Sequence, residues 1–180
     1  MGAMAGTAEQ DLGRIVESAA EGDEVAFGRI VTAYQEQVYC ICVVVCRDRS
    51  LAEEAVQSAW SKVWRRLGTL REPDKLRPWV ASVAVNEAKS LLRKRRRRSE
   101  VEVSVDSSDE PGGIDPATGV AGIDLRDAMR RLDPDDRALL TMRYVFGFDA
   151  TELSTAVGLS PSGTRTRLER LLARLRQELE

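Results

Sequence analysis

Between Leu76 and Arg98 the chain reads LRPWVASVAVNEAKSLLRKRRRR, an apolar segment that runs without a break into six consecutive basic residues. Trp79, Val80, Val83, Ala84, Val85, Ala88, Leu91 and Leu92 recur largely at three- and four-residue spacings, the period of a helix that buries one broad stripe. Pro78 suits the start of such a helix, because its ring presets φ and its missing N–H would be unpaired there in any case. Arg93–Arg98 continue past the last apolar position, so water or a partner must neutralise their charge. A run of this kind is either a solvated segment or the footprint of a nucleic acid, and the footprint is the sharper reading.

The formal net charge of −2 conceals how unevenly charge is distributed. Residues 62–98 carry thirteen Lys/Arg against three Asp/Glu, whereas residues 99–124 carry seven Asp/Glu and no base. A polyanion-binding surface can therefore sit on a chain that is acidic as a whole.

At 180 residues and 43% hydrophobic content the chain can build one or two small cores. Aromatic residues are few and extended β-branched alternation is scarce, which points to an all-α fold. No run approaches a membrane span and no basic-then-apolar signal opens the chain, so a soluble, cytoplasmic protein without membrane insertion is expected. The opening MGAM reads as a cloning scar before Ala5 and is set aside. Cys40, Cys42 and Cys46 share one apolar run, and the chain has no histidine. No metal site is expected, and the thiols read as small core residues, with a redox-sensing trio as the lesser alternative.

Taken in order, 8–20 reads as a short helix and Glu21-Gly22-Asp23 as a turn able to cap its successor. From Glu24, Val25, Phe27, Ile30, Val31, Tyr34, Val38, Ile41 and Val45 hold helical spacing for about six turns. Ser50 is the expected N-cap of the next helix, with Glu53 at capping-box spacing. That helix, 51–67, places Ala55, Trp60, Val63, Trp64 and Leu67 on one side and Glu53, Glu54, Gln57, Ser61 and Lys62 on the other. Gly68–Lys75 is a loop that leads into the basic helix and can present a pocket beside it. Residues 99–124 are poor in bulky apolar side chains and read as a flexible acidic linker, either for solubility or to fold back on Arg93–Arg98.

The remainder, 125–180, is a second compact unit. Leu125, Met129 and Leu132 mark a short helix, and Asp133-Pro134 is a cap-then-N1 start for the next. A short helix over 149–157, a turn at Gly158, a cap at Ser160-Pro161 and a long basic helix over 162–179 then have the spacing of a helix-turn-helix. Leu168, Leu171, Leu172, Leu175 and Leu179 form the expected buried stripe of the last helix. Ser162, Arg165, Thr166, Arg167 and Arg170 occupy its first turns, from which side chains reach base edges or phosphates.

With both halves read, the chain resembles the extracytoplasmic-function class of bacterial sigma factors. AEEAVQSAWSKVW (52–64) is similar to that family's core-polymerase-binding helix, and PWVASVAVNEAKSLLRKRRRR (78–98) to its promoter-melting, minus-ten-reading helix. RALLTMRYVFGFDATELSTAVGLSPSGTRTRLERLLARLR (137–176) is similar to its minus-thirty-five-reading domain. The resemblance implies two small helical domains, 8–98 and 125–180, joined by the linker 99–124. It implies polymerase contacts at Glu53, Glu54, Gln57, Trp60 and Ser61, with Ser58 standing where an acid is usual. Asn86 matches an asparagine that reads a flipped-out base, and Gly68–Lys75 corresponds to the segment that forms its pocket. Lys89, Arg93, Lys94 and Arg95 then fall on the minus-ten side, and Arg165, Thr166 and Arg170 align with minus-thirty-five contacts.

The implied function is a sigma factor that binds core RNA polymerase, recognises both promoter elements and directs transcription initiation. It would be no enzyme and would need no cofactor. Its partners would be core RNA polymerase and promoter DNA, and the family also admits an anti-sigma protein. The rival reading is a conventional helix-turn-helix regulator with a sensing or dimerising N-terminal domain, which leaves Asn86 and the basic helix unexplained.

Overall fold

The computed structural model describes residues 3–101 and 120–179, and among them the regular structure is helical throughout. Eight α-helices follow one another: α1 Ala3–Ala20, α2 Glu24–Cys46, α3 Arg49–Arg66, α4 Leu76–Val101, α5 Val120–Arg131, α6 Pro134–Tyr144, α7 Ala150–Val157 and α8 Pro161–Leu179. They form the two small helical domains, α1–α4 and α5–α8. The acidic segment lies for the most part outside the described residues, while its two ends belong to α4 and α5.

In the first domain α2, α3 and α4 pack against one another in a three-helix bundle. Asp23 starts α2 by accepting N–H bonds from Val25 and Ala26, as the turn before it leads one to expect. Helix α2 ends at Arg47, whose left-handed φ of 57° turns the chain out of the helix. The cap of α3 is Asp48, which accepts from Leu51 N–H at 2.8 Å, and not Ser50. Both residues are good caps, but the turn at Arg47 brings the extended, cap-competent backbone to Asp48 and leaves Ser50 inside the helix.

Alanines make up much of the buried surface of α3 and α4: Ala52, Ala55 and Ala59 on α3, Ala81, Ala84 and Ala88 on α4, all fully buried or nearly so. The tryptophans of α3 lie off the expected core stripe. Trp60 and Trp64 are half-buried and flank Phe27, with ring centroids 6.1 and 4.7 Å away in edge-to-face arrangement. Cys42 and Cys46 fill the bundle with Sγ 4.0 and 3.9 Å from the carbonyls of Ala84 and Ala88, and Cys40 is half-buried. Helix α1 reaches back to Ala3, so the segment set aside as a scar contributes residues to it.

In the second domain Leu139, Met142, Phe148 and Leu153 are fully buried or nearly so, with Leu168, Leu171 and Leu175 of α8 packed over them. Leu172 is only half-buried and Leu179 is 44% exposed, so the buried stripe of α8 is narrower and shorter than the leucine pattern suggests. Asp133 caps α6 through Asp136 N–H at 2.9 Å. Asp149 and Glu152 form a reciprocal capping box on α7. Gly158 adopts the left-handed conformation (φ 69°) that ends α7, where a side chain would be strained. The domains touch: α4 packs on α7 and α2 on α6.

Candidate nucleic-acid interface

Two exposed polar surfaces lie on different domains. The first runs along α4. Asn86 is exposed, and Ser90, Arg93, Lys94 and Arg97 continue its side of the helix in three- and four-residue steps, all exposed. The opposite side, Val80, Ala81, Ala84 and Ala88, is buried in the bundle. The arginine run is thus the exposed part of a helix that extends to Val101, three residues into the segment 99–124 read as linker.

Two of the basic residues singled out in the sequence are engaged within the protein. Lys89 reaches both carboxylate oxygens of Asp135 on α6, at 2.7 and 2.8 Å. Arg95 pairs with Asp48, the cap of α3. The Leu51 N–H first, and Arg95 second, hold the Asp48 carboxyl below the ordinary carboxylate range. A further pair, Lys62 to Glu87 at 2.5 Å, ties α3 to α4.

The loop before α4 folds into two short 3-10 turns, Leu67–Thr69 and Pro73–Lys75. Leu67 is buried and anchors the first. A cleft of about 300 Å³ opens between this loop and α1, lined by Val16, Glu17, Ala20, Gly68, Leu70 and Arg71 among others. The contribution of α1 to its wall has no signal in the sequence. Asn86 is ten residues into α4 from Leu76, about 15 Å of helical rise beyond the end of this loop.

The second surface is the first turns of α8. Ser160 caps the helix, accepting from Gly163 N–H at 3.1 Å, and Thr164 is fully buried beneath it. Ser162, Arg165, Thr166 and Arg170 are exposed on one side. Arg167 faces the other way: its Nε lies 2.6 Å from Asp136 and its Nη2 3.5 Å from Asp133. Burial raises the Asp136 pKa even beside this guanidinium.

On α3, Glu53, Glu54, Gln57 and Ser61 are exposed, with Glu53 also 3.1 Å from Arg49. Trp60 turns from this row toward Phe27, and its indole N–H is buried without a hydrogen-bond partner among the described residues. Arginines without a motif in the sequence join the domains: Arg77 donates to Phe146 O and lies 3.1 Å from Glu152, Arg137 donates to Val44 O and Val45 O, both at 2.8 Å, and Arg47 donates to Arg130 O at 3.0 Å. Arg137 sits in the stretch 136–142, which is buried on every side, so α6 has no amphipathic contrast that could mark it.

Comparison with known proteins follows the same division. Residues 30–98 match the family model described as Sigma-70 region 2, and residues 123–175 match that described as Sigma-70, region 4. The chain is 31% identical over 171 residues to the probable RNA polymerase sigma factor RfaY of Xanthomonas campestris pv. campestris, covering 89% of this chain but 42% of that protein's length. It is 27% identical to the RNA polymerase sigma factor CarQ of Myxococcus xanthus, covering 88% of this chain and 92% of CarQ. Among solved structures, the sigma factor RpoE of Bartonella quintana, in complex with the anti-sigma factor NepR, superposes with a TM-score of 0.69 at 20% identity, over 85% of this chain and 96% of that one.

Proposed function

The chain belongs to the sigma-70 family, in its extracytoplasmic-function class, and on that premise we propose that it binds core RNA polymerase and directs it to promoters read by two separate domains. The observation that carries this reading is the pair of exposed polar faces, Asn86 to Lys94 on α4 and Ser162 to Arg170 on α8, each backed by its own buried core.

In this reading the row Glu53, Glu54, Gln57 and Ser61 docks the polymerase. Trp60, wedged on Phe27, fixes the pitch of α3 beneath that row. Helix α4 lies along the minus-ten element, with Asn86 reading an unstacked base and Arg93 and Lys94 neutralising phosphate, while Lys89 and Arg95 can join them only on leaving Asp135 and Asp48. The cleft between α1 and Gly68–Pro73 is large enough to receive a flipped base. Capturing it offsets an unstacking cost of a few kcal/mol and so favours strand opening. Helix α8 enters the major groove at the minus-thirty-five element, where an arginine fork can bind guanine at two points. The phosphate contacts add affinity without sequence information and make binding salt-dependent.

No bond is made or broken in this scheme, so the chain is a specificity subunit and not an enzyme. It works in the cytoplasm beside core polymerase. This reading divides the chain into 8–98 and 125–180, with 99–124 between them. An anti-sigma protein is a fitting regulator, because the similar Bartonella sigma factor was solved bound to one.

Run-off transcription with purified core polymerase on a promoter library tests the proposal, together with a stoichiometric core pull-down. Promoter-specific transcripts and one-to-one binding are the expected results. A chain that binds DNA but never core enzyme would be a conventional regulator.

A further inference from the structure

Helix α8 carries two acidic side chains, Glu169 and Glu178, and they are used differently. Glu178 accepts from Arg174 Nε at 2.9 Å, four residues before it. Glu169 has an arginine at the same spacing, Arg165, yet it is exposed and makes no hydrogen bond or ion pair among the described residues. The buried stripe of α8 is Thr164, Leu168, Leu171 and Leu175. At about 100° per residue, Glu169 falls on the opposite side, between Arg165 and Thr166 when α8 is viewed down its axis. It follows Thr166 by three residues and Arg165 by four, and it directly precedes Arg170. Glu169 therefore stands inside the exposed row formed by Ser162, Arg165, Thr166 and Arg170.

A carboxylate in the middle of a row that faces DNA is repelled by the phosphates, so only a donor on a base edge can compensate it. In the major groove guanine offers two acceptors, and thymine an acceptor and a methyl group. Adenine sets an acceptor beside its amino group, whereas cytosine presents the amino donor alone. We propose that Glu169 is a specificity-determining residue, which accepts from the amino group of a cytosine in the upstream promoter element. This role rests on the reading of α8 as DNA-facing. Arginine forks suit guanine, so Arg165, Glu169 and Arg170 together match both edges of G·C pairs. Four residues of helix span about 6 Å, nearly two base-pair steps of about 3.4 Å. The cytosine then lies within about two pairs of the guanine held by Arg165.

The test uses the full chain with purified core polymerase and a promoter library randomised over the upstream element, sequenced before and after selection. Wild type is compared with Glu169→Gln and Glu169→Ala, both good helix formers at an exposed position, so the fold is kept. Wild type should prefer cytosine at one position by about 5- to 150-fold, the range for one mismatched pair. Glutamine has the shape of glutamate but pairs with the amino group and N7 of adenine together. Glu169→Gln should therefore move the preference at that position from cytosine to adenine, and Glu169→Ala should abolish it there, with the other positions unchanged. A merely structural side chain would not exchange one base for another. Variants that enrich the same bases as wild type at every position overturn the proposal, and uniformly tighter binding would reduce Glu169 to a charge repelled by phosphate. The same library is also bound to the full chain without core polymerase. Failure to join core polymerase sinks the sigma-factor reading, while the cytosine-to-adenine exchange in this second arm still decides the role of Glu169.

Discussion

Arg167 and Arg170 are three residues apart on α8, yet Arg167 holds Asp136 at 2.6 Å while Arg170 is exposed. The first arginine binds α8 to α6, and the second is free of that duty. Arg167→Ala is expected to lower stability by about 1–3 kcal/mol, since it leaves the buried Asp136 without its counter-charge. Arg165→Ala and Arg170→Ala are expected to leave the melting temperature unchanged and to weaken binding to the upstream element by about 1–3 kcal/mol each. Thermal melts and promoter binding on one set of proteins separate the two behaviours.

Asn86→Ala should impair promoter opening while core binding stays intact. Asn86 is exposed and the core of α4 lies on the opposite side, so the change removes a reading group without disturbing packing. Permanganate footprinting of the melted strand, read beside the core pull-down, checks it. An equal loss of both would assign Asn86 to structure.

Acid should loosen the junction of α2 and α3 through Asp48. Its folded pKa is lowered by the Leu51 N–H and by Arg95. A carboxyl with a depressed folded pKa contributes stability that is fully present above its unfolded value, near 3.8, and is lost as pH falls through the folded one. Asp48→Asn should therefore be less stable than wild type at neutral pH and lose that difference at low pH. Denaturant melts across the acid range measure it.

Burial pushes the Cys46 thiol up to about 12, and the Cys42 thiol higher still. Neither is a thiolate at neutral pH, so alkylation in the native state should be slow at both and quick only after unfolding. Half-buried Cys40 should react first. Peptide mass mapping after timed iodoacetamide treatment reads the order, and rapid native labelling of Cys42 or Cys46 would revive a redox role.

A methyl added at Gly163 would sit 3.1 Å from Ser160 Oγ, the group that caps α8. Gly163→Ala should gain up to about 1 kcal/mol of helix propensity and lose a similar amount of cap. The net change should be near zero in wild type and clearly stabilising in a Ser160→Ala background. A double-mutant cycle by urea melts tests the coupling.

The helices, the Asp23, Asp133 and Asp149 starts and the Gly158 turn were legible because each rests on local chemistry within four residues. The basic run of α4 and the arginine-rich start of α8 were legible from spacing, whereas Asn86 was singled out only through the family resemblance. The shift of the cap from Ser50 to Asp48 was not, since it depends on the backbone turn at Arg47. Nor could Arg167 be told from Arg165 and Arg170. What separates them is the position of Asp136, thirty-one residues away in sequence. The junction arginines were hidden for the same reason, as their partners are carbonyls, which every residue carries.

Those carbonyls also set an order in time. Val44 and Arg137 are 93 residues apart, and a ribosome adding about 5–20 residues per second takes roughly 5–19 s to cover that interval. For those seconds the first domain has emerged with the end of α2 capped only by water. The contacts that join the two domains therefore form only after the first domain has been made.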